Sequence, residues 1–502
     1  MAVKVHVTIV VVGTVLCWGC VTCFGVPELN FEYHSYADLK QYLENISEAY
    51  PNLTRLYSIG KSVQKQKLLV LEISAAPADQ LGVPNVKLVG GIHGNEPVGT
   101  ELILHFIQFL LTQYSYNQTV QWFVNNTRIH LLPRMNPDGF KRARFSNCTP
   151  NDNGRHNTRN VDLNRNFPDH FRKNTLPVQV EITAVREWLK ATPFILSASL
   201  HGGALVANYP FDNTKEDIGS PVAPSDPSIT PDDDVFRHLA NVYASTHPTM
   251  HKGLPCPGEK EGFKNGIVNG ASWYRVTGGM QDYNYVWHGC LELTLEISCC
   301  KYPSKDDLPM YWEQNKEAMF AFVREVHRGI QGMTLDCETE TPIPGTDLVI
   351  DGRSFHFNSS KKGEYWRILL PGNYSVNVSA EGYKSYSTSF VVKPQGEDEL
   401  PRMTWLDIYL VSQSSNETCK KNADFLLKQT TTTPYVTTAR TEIPTTTTER
   451  LVTHSSTTPD SDTNHRSSRA FPQQTASRGD EMVVRWLYIV LSSILLLLLK
   501  CM

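Results

Sequence analysis

Strand-like apolar runs alternate with helix-like segments between residues 26 and 330, and this alternation constrains the fold more than any other feature. Apolar residues recur at helical spacing in 35–46 and 99–114. Three short apolar runs are typical of buried strands: VKLVGGI (86–92), FILSASL (194–200) and LELTLEIS (291–298). The alternation predicts an α/β domain with a mixed, largely parallel sheet flanked by helices, whose functional residues lie at the carboxyl ends of the strands.

Residues 331–412 follow a different pattern. Runs rich in β-branched and aromatic residues, such as TDLVIDG, YSVNVSAEGY and MTWLDIYL, are separated by Gly and Pro turns. No helical period competes with them. We therefore expect a second, small all-β sandwich domain that contains no convincing catalytic cluster.

The N-terminal segment 1–25 predicts a secretory signal peptide, because Lys4 precedes an apolar run that is too short to span a membrane. In the oxidising compartment that follows, the cysteines outside the two ends of the chain are expected to form three disulfides and leave one free thiol. Asn-x-Ser/Thr sequons support the secretory route. They begin at Asn45, Asn52, Asn117, Asn125, Asn147, Asn358, Asn373, Asn377 and Asn416.

The C-terminal part divides into a stalk and a hydrophobic segment. Residues 413–480 are rich in Thr, Ser and Pro and predict an extended, O-glycosylated stalk. In 481–502, the apolar stretch 486–499 is shorter than the roughly 20 residues of a membrane span and follows small residues, which is typical of a signal for a glycosylphosphatidylinositol (GPI) anchor. A tail-anchored helix is the alternative. We expect a protein on the outer leaflet of the plasma membrane.

The charge balance excludes one class of partner. Lys and Arg number 47 against 51 Asp and Glu, which gives a net charge of -4. A nucleic-acid-binding domain carries a basic footprint instead. We therefore expect no nucleic-acid partner. We also expect the chain to be monomeric.

Two strand ends carry candidate metal ligands. His93 and Glu96 lie in the glycine-rich turn GGIHGNEPVG after the first strand, and His201 directly follows the strand 194–200. Each strand end alone is weak evidence for a metal site, since a lone histidine at such a place is more often a core residue. Together, two histidines and one carboxylate are the ligand set of a catalytic zinc site, in which the metal lowers the pKa of its water to about 7.

A hydrolase of this kind also needs a general base beside that water. In LELTLEIS the alternation of side chains places Glu292 and Glu296 on one face of the strand. Glu296 is nearer the carboxyl end, where the active site is expected. Periodicity favours it, but either glutamate satisfies the pattern.

Several long motifs resemble those of the zinc carboxypeptidases, and in particular their regulatory (N/E) branch, over about residues 30–411. They are GGIHGNEPVG, NPDGF, GRHNTRNVDLNRNFPD, SLHGGALVANYPFDN and GGMQDYNYVW with LELTLEISCCKYP. The branch joins a catalytic domain of the zinc carboxypeptidase fold to a transthyretin-like β-sandwich. The resemblance implies an extracellular hydrolase, with one Zn²⁺ per chain, that removes C-terminal Lys or Arg from peptides and proteins.

The resemblance also implies roles for individual residues in the reaction. His93, Glu96 and His201 would hold the zinc ion. Glu296 would act as general base and then as proton donor. Arg155 matches the arginine that polarises the scissile carbonyl and stabilises the oxyanion.

Substrate-binding roles follow in the same way. Asn164 and Arg165 match the pair that holds the terminal carboxylate, and Tyr274 matches a mobile tyrosine that closes over the bound end residue. Asp212 matches the acidic residue at the bottom of the side-chain pocket, which Gln281 lines. Because a buried carboxylate selects a cation, this residue accounts for the implied preference for Lys or Arg.

The resemblance implies disulfides Cys148–Cys300 and Cys256–Cys299 with Cys290 free, and leaves Cys337–Cys419 as the remaining pair. Arg134 in LLPRMNPDGF departs from the small polar residue that the branch leads us to expect. We expect its side chain to face solvent.

Three other functions compete with this interpretation. An inactive, peptide-capturing relative would lack ligands or the base, and this chain has all of them. An adhesive role of the sandwich has no feature for or against it. A deacylase or a glutamate-trimming enzyme is disfavoured because Asp212 would repel an acidic substrate.

Overall fold

The structure is a computed structural model that describes residues 29–145, 148, 152–215, 225–394, 396, 400, 402–416 and 418–422. The predicted signal peptide, most of the stalk and the hydrophobic segment 481–502 lie outside the described residues. Within the described part, no helix has the length and apolar character needed to cross a membrane.

The first domain is built on an eight-stranded mixed sheet, as predicted. Its order is β1-β2-β4-β3-β5-β8-β6-β7, in which β4, β3, β5 and β8 run parallel to one another. The pairs β1–β2, β2–β4 and β6–β8 are antiparallel, and β7 runs parallel to β6. The strands are β1 Thr54–Lys61, β2 Lys67–Ile73, β3 Asn85–Gly90, β4 Arg128–Leu132, β5 Phe194–His201, β6 Ala204–Tyr209, β7 Ile267–Asn269 and β8 Leu291–Ser298. The strand predicted at 86–92 ends earlier, because Gly91 takes a left-handed φ of 61° and turns the chain.

Helices cover both faces of this sheet. Along β2, Leu69 and Leu71 belong to one core cluster, which contains residues of α1, α2, α3, α6 and α9, whereas Leu68 and Val70 belong to a second cluster with α5 and α8. Since alternate side chains of a strand point to opposite faces, the two clusters lie on opposite sides of the sheet. The helices are α1 Tyr36–Ala49, α2 Val98–Gln113, α3 Gln118–Asn126, α4 Pro137–Arg142, α5 Val180–Ala191, α6 Asp233–Thr246, α7 Gly270–Trp273, α8 Met280–His288 and α9 Leu308–Arg324.

The second domain is all-β, which confirms the predicted fold class. One sheet has the order β11-β10-β13-β14, and the other has β12-β9-β15 with β16 also pairing to β9. A separate apolar core lies within this domain. The strands are β9 Ile330–Asp336, β10 Asp347–Ile350, β11 Phe357–Asn358, β12 Glu364–Arg367, β13 Gly372–Ser379, β14 Tyr386–Val392, β15 Thr404–Trp405 and β16 Ile408–Leu410.

A buried carboxylate fastens the second domain to the first. Asp232, at the start of α6, is fully buried and accepts hydrogen bonds from Arg353 Nη1 at 2.7 Å, from Tyr285 Oη at 2.6 Å and from the guanidinium of Arg367. Burial alone would raise the pKa of Asp232, but Arg367 lowers it. Tyr285 lies on α8, so this contact also fixes the helix that carries Gln281.

Three disulfides cross-link the described chain. They join Cys148 to Cys300, Cys256 to Cys299 and Cys337 to Cys419, the pairs expected above, and Cys290 is a buried free thiol. Cys300 and Cys299 directly follow β8, so two of the bridges tie surface loops to the strand that carries Glu296.

Candidate active site

The carboxyl edge of the parallel strands brings the predicted metal ligands together. The loop after β3 carries His93 and Glu96, and β5 ends at His201. In the parallel pairing of β5 and β8, His201 lies opposite Glu296. The sheet thus places four side chains from three strand ends around one point, as the sequence pattern predicted.

His93, Glu96 and His201 form a set of converging donor atoms. The Nδ1 atoms of both histidines lie 3.1 Å from Oε2 of Glu96. The three donor atoms lie within 4.8 Å of one another, and each side chain is 3% exposed. Two imidazoles and a carboxylate, buried with one side facing a cavity, fit a zinc ion with an open coordination position.

The outer nitrogen of each histidine has its own partner. Nε2 of His93 lies 3.0 Å from Oδ1 of Asp162, and Nε2 of His201 lies 3.1 Å from Oγ of Ser199. Such partners fix the ring orientation and leave Nδ1 for the metal. Oδ2 of Asp162 also accepts a hydrogen bond of 3.0 Å from Nε of Arg155 and lies 2.9 Å from its Nη2. The motifs did not indicate Asp162 or Ser199, although the two-residue spacing of Ser199 from His201 on one strand places both side chains on the same face.

Positive charge surrounds the metal-binding carboxylate. Burial alone would raise the pKa of Glu96, but His93 and His201 hold it well below its usual value. Its second oxygen, Oε1, lies 3.3 Å from Nη1 of Arg155 and 3.1 Å from Nζ of Lys301. Lys301 was not predicted, since only the folded chain brings it to Glu96.

The two candidate glutamates of β8 lie in different surroundings. Glu292 is fully buried and pairs with Nζ of Lys87 at 2.8 Å, while Ser197 Oγ donates to the same oxygen at 2.5 Å. Glu296 lines the cavity, and its Oε2 has no hydrogen-bond partner among the described residues. Burial, with the charge of Glu96 adding to it, raises the pKa of Glu296 to about 7.

A cavity of about 140 Å³ contains every predicted site residue except Gln281. A larger cavity of about 590 Å³, lined by Arg55, Trp287 and Lys362 among others, contains none of them. The active-site lining includes His93, Glu96, Arg155, Asn164, Arg165, His201, Asp212, Tyr274, Glu296 and Lys301.

One part of this cavity is acidic. Asp212 is 2% exposed, and its Oδ1 accepts hydrogen bonds from Nε2 of Gln281 at 3.0 Å and from Nδ2 of Asn208 at 3.2 Å. Its backbone N–H donates to Asp282 at 3.0 Å. Burial raises the pKa of Asp212 to about 7. A Cβ at Gly270 would come within 1.9 Å of Oδ1 of Asp212, so this position requires glycine.

The neighbouring part of the cavity contains Asn164 and Arg165. Oδ1 of Asn164 accepts a hydrogen bond of 2.9 Å from the backbone N–H of Met280, which fastens the residue to the start of α8. Nη1 of Arg165 donates to the carbonyl of Asn164 at 2.9 Å. Tyr274 is half-buried, and burial raises its pKa to about 12.

Arg134 does not face solvent, and the prediction that it would was wrong. The residue is 4% exposed, its Nη2 lies 3.5 Å from Oε1 of Glu101, and its guanidinium stacks on Phe140 at 3.6 Å. It also donates to the carbonyl of His34 at 2.9 Å. Since Glu101 is fully buried, it needs a nearby positive charge.

We expect Asp162→Asn to weaken zinc binding about 10–100-fold, because the amide is a weaker partner for His93 than the carboxylate. Competition with a chelator measures the affinity, and circular dichroism checks the fold. Asp152→Asn is the control, since that residue is close in sequence but exposed. Equal zinc affinities for the two variants would contradict the role of Asp162.

Comparison with known families identifies both domains. The family model described as zinc carboxypeptidase matches residues 39–318, and the model described as carboxypeptidase regulatory-like domain matches residues 329–404. The two matches correspond to the mixed-sheet domain and the β-sandwich.

Individual relatives agree with this. Carboxypeptidase M of Mus musculus, the member that the sequence motifs and the anchor-like C-terminal segment indicated, is 45% identical over 370 residues, 73% of this chain and 82% of that protein. Carboxypeptidase N catalytic chain of Rattus norvegicus is 42% identical over 397 residues, 74% of this chain and 85% of that protein. Carboxypeptidase D of Homo sapiens is 42% identical over 370 residues, but these span only 26% of its length. With its zinc ligands His93, Glu96 and His201, the chain belongs to the zinc carboxypeptidases, in the group of carboxypeptidases M, N and D.

Proposed function

We propose that this zinc carboxypeptidase removes C-terminal Lys or Arg from extracellular peptides and proteins while anchored to the cell surface. One observation carries the specificity. The buried carboxylate of Asp212 lies in the same cavity as the zinc ligands, where the side chain of a bound end residue would reach it.

The surroundings of Asp212 favour a cationic substrate. Its hydrogen-bond donors, Gln281 and Asn208, are neutral amides, so no positively charged side chain forms an ion pair with the carboxylate among the described residues. An ammonium or guanidinium group of the substrate would supply the missing counter-charge, whereas an acidic side chain would be repelled.

The same cavity accounts for removal of the last residue only. Arg165 presents a guanidinium that can form two parallel hydrogen bonds with a terminal carboxylate, and Asn164 lies beside it. A residue inside a chain has no such carboxylate. Tyr274 lines the cavity next to them and would close over the bound end residue.

The chemical step would use the remaining polar residues. A bound zinc ion lowers the pKa of its water to about 7 and polarises a carbonyl. Glu296, whose Oε2 has no partner among the described residues, accepts the proton that the water loses as its oxygen bonds to the carbonyl carbon. Arg155 stabilises the oxyanion. As the C–N bond breaks, Glu296 returns the proton to the leaving amine.

Glu296→Gln is expected to lower kcat by about 10³-fold or more with little change in KM or zinc content, because the amide cannot accept the proton. Glu292→Gln is the matched variant on the same strand. It should instead lower the free energy of unfolding by about 3 kcal/mol, since Lys87 would be left with an uncompensated buried charge. Full activity of Glu296→Gln would exclude this assignment of the base.

Peptides that differ only in a terminal Arg, Lys, Leu or Glu test the proposed specificity, with and without a chelator. A secreted form that ends at residue 422 suits this assay because it retains Cys419, the partner of Cys337. We expect cleavage of Arg and Lys ends and loss of activity with the chelator. Equal cleavage of Arg and Leu ends would contradict the role of Asp212, whereas activity insensitive to the chelator would contradict the zinc mechanism.

The preference for Arg over Leu should rise with pH. Asp212 has a pKa raised to about 7, so its carboxyl group is neutral below that pH and charged above it, while the substrate guanidinium stays charged throughout. The ratio of kcat/KM for Arg and Leu ends is expected to rise about tenfold from about pH 6 to about pH 8. Changes in the catalytic groups cancel in this ratio, and Asp212→Asn should make it independent of pH.

The two terminal segments and the disulfides support a location at the cell surface. The N-terminal segment 1–25 is typical of a signal peptide, the described disulfides suit an oxidising compartment, and 481–502 is typical of a GPI-anchor signal. The net charge of -4 gives no support for a nucleic-acid partner. We propose a monomeric enzyme on the outer leaflet.

A phosphatidylinositol-specific phospholipase tests the anchor. It should release the protein from intact cells into the medium, because only the lipid holds a GPI-linked chain. Mild trypsin, which cuts exposed chain, is the control for surface location. Surface protein that trypsin removes and the phospholipase does not would show a spanning tail helix instead.

A further inference from the structure

Three of the Asn-x-Ser sequons lie in the sheet β11-β10-β13-β14 of the second domain. Asn373 and Asn377 are on β13, and Asn358 is on β11. All three side chains are exposed. We propose that N-linked glycans on these asparagines cover the outer face of this sheet and prevent its edge strand, β14, from pairing with a second chain.

The strand register places the three asparagines on one face. Asn377 lies opposite Val349 of β10, and Asn358 lies opposite Asp347, two residues away on the same strand. Directly opposed residues share a face, as do residues two or four apart on one strand, which adds Asn373. The other face carries buried side chains: Leu348, Ile350, Val376, Val378 and Phe390.

The other sheet makes several of the contacts with the first domain. In β12, Arg367 pairs with Asp232 and Glu364 accepts a hydrogen bond from the backbone of Gly82 at 2.7 Å. Trp405 of β15 also lies against Gly82. Asn358 lines the larger cavity of about 590 Å³ together with Trp287 of the first domain, whereas the cavity that Asn373 lines is formed by second-domain residues alone. A glycan on Asn373 would therefore not disturb the joint between the domains.

The described part of the chain shows no hydrogen bond to the amide nitrogens of these asparagines. Oδ1 of Asn377 accepts a hydrogen bond of 2.6 Å from Ser387, a contact that does not use Nδ2, the atom to which a glycan is attached. Asn373 and Asn377 are about 13 Å apart along the strand, and Asn358 is about 12 Å from Asn377, across two strand spacings and two residues along the strand. Three glycans at this spacing would cover the short sheet.

The glycans would protect strand β14, which is an edge strand. It is the last strand of its sheet, and its sequence YSTSFVV has β-branched and aromatic residues but no charge and no proline. Such an edge is a template for pairing with another chain, which proteins usually prevent with charge, proline or a covering element. Val391, 48% exposed, lies opposite Asn373, and Ser387 lies opposite Asn377.

The first test is direct. The full chain is produced in animal cells, its glycans are removed enzymatically in heavy-oxygen water, and peptide mass spectrometry then counts the asparagines converted to labelled aspartate. We expect conversion at Asn358, Asn373 and Asn377 in most molecules. Lack of modification at two or more of them overturns the proposal.

The second test measures whether the glycans prevent chains from associating through the edge strand β14. The variant with Asn358→Gln, Asn373→Gln and Asn377→Gln should shift from monomer towards dimers and larger species in light scattering at micromolar concentration. Its activity per chain should stay within about twofold. Asn52→Gln, which removes an exposed sequon in a turn of the first domain, is the control. A triple variant as monomeric as this control overturns the shielding role.

Adding Val391→Lys to the triple variant should restore the monomer, because a charge on the edge strand prevents pairing in the same way. Continued association of this variant overturns the assignment of β14 as the contact. If the triple variant is not secreted, enzymatic removal of the glycans from the folded wild-type protein gives the same comparison. The proposal requires passage through the secretory pathway but does not depend on the substrate specificity.

Discussion

Parallel pairing of β3, β5 and β8 is the constraint on which the active site depends. It brings three strand ends to one edge of the sheet, and its register sets His201 opposite Glu296. The loop after β3 adds His93 and Glu96 at the same level. Because the hydrogen bonds between the strands fix this register, the ligands are held in place before any metal binds. Folding has then already compensated the conformational entropy that is lost when these residues become ordered.

The fold must also compensate the charges of its buried carboxylates. Transfer of a carboxylate into the interior costs several kcal/mol unless a partner of opposite charge or several donors accompany it. Glu101, Glu292 and Asp232 each form an ion pair with a lysine or an arginine, and all three lie away from the active-site cavity. Among the described residues, Asp212 and Glu296 have no such fixed ion pair, and burial raises the pKa of both to about 7. Perturbed groups of this kind are typical of sites that bind or react.

The sequence predicted those parts of the fold and site that depend on local pattern. The strand at 291–298 agrees with β8 residue for residue, because alternation and apolar content coincide there. Asp162 and Lys301 were missed, since their roles arise from contacts with His93 and Glu96 that lie far away in the sequence. Arg134 was placed on the surface for the same reason, as its partner Glu101 is on another element.

The sequence by itself determined the fold class, the division into two domains and the ligand set of the zinc site, because these follow from periodicity and from long motifs. Alternation alone left Glu292 and Glu296 equivalent. Only the tertiary structure separated them: Lys87 and Ser197 surround the first, whereas the second faces the cavity. A strand's period assigns a side chain to a face, but which neighbour it meets there is decided by the packing of the other strands and helices.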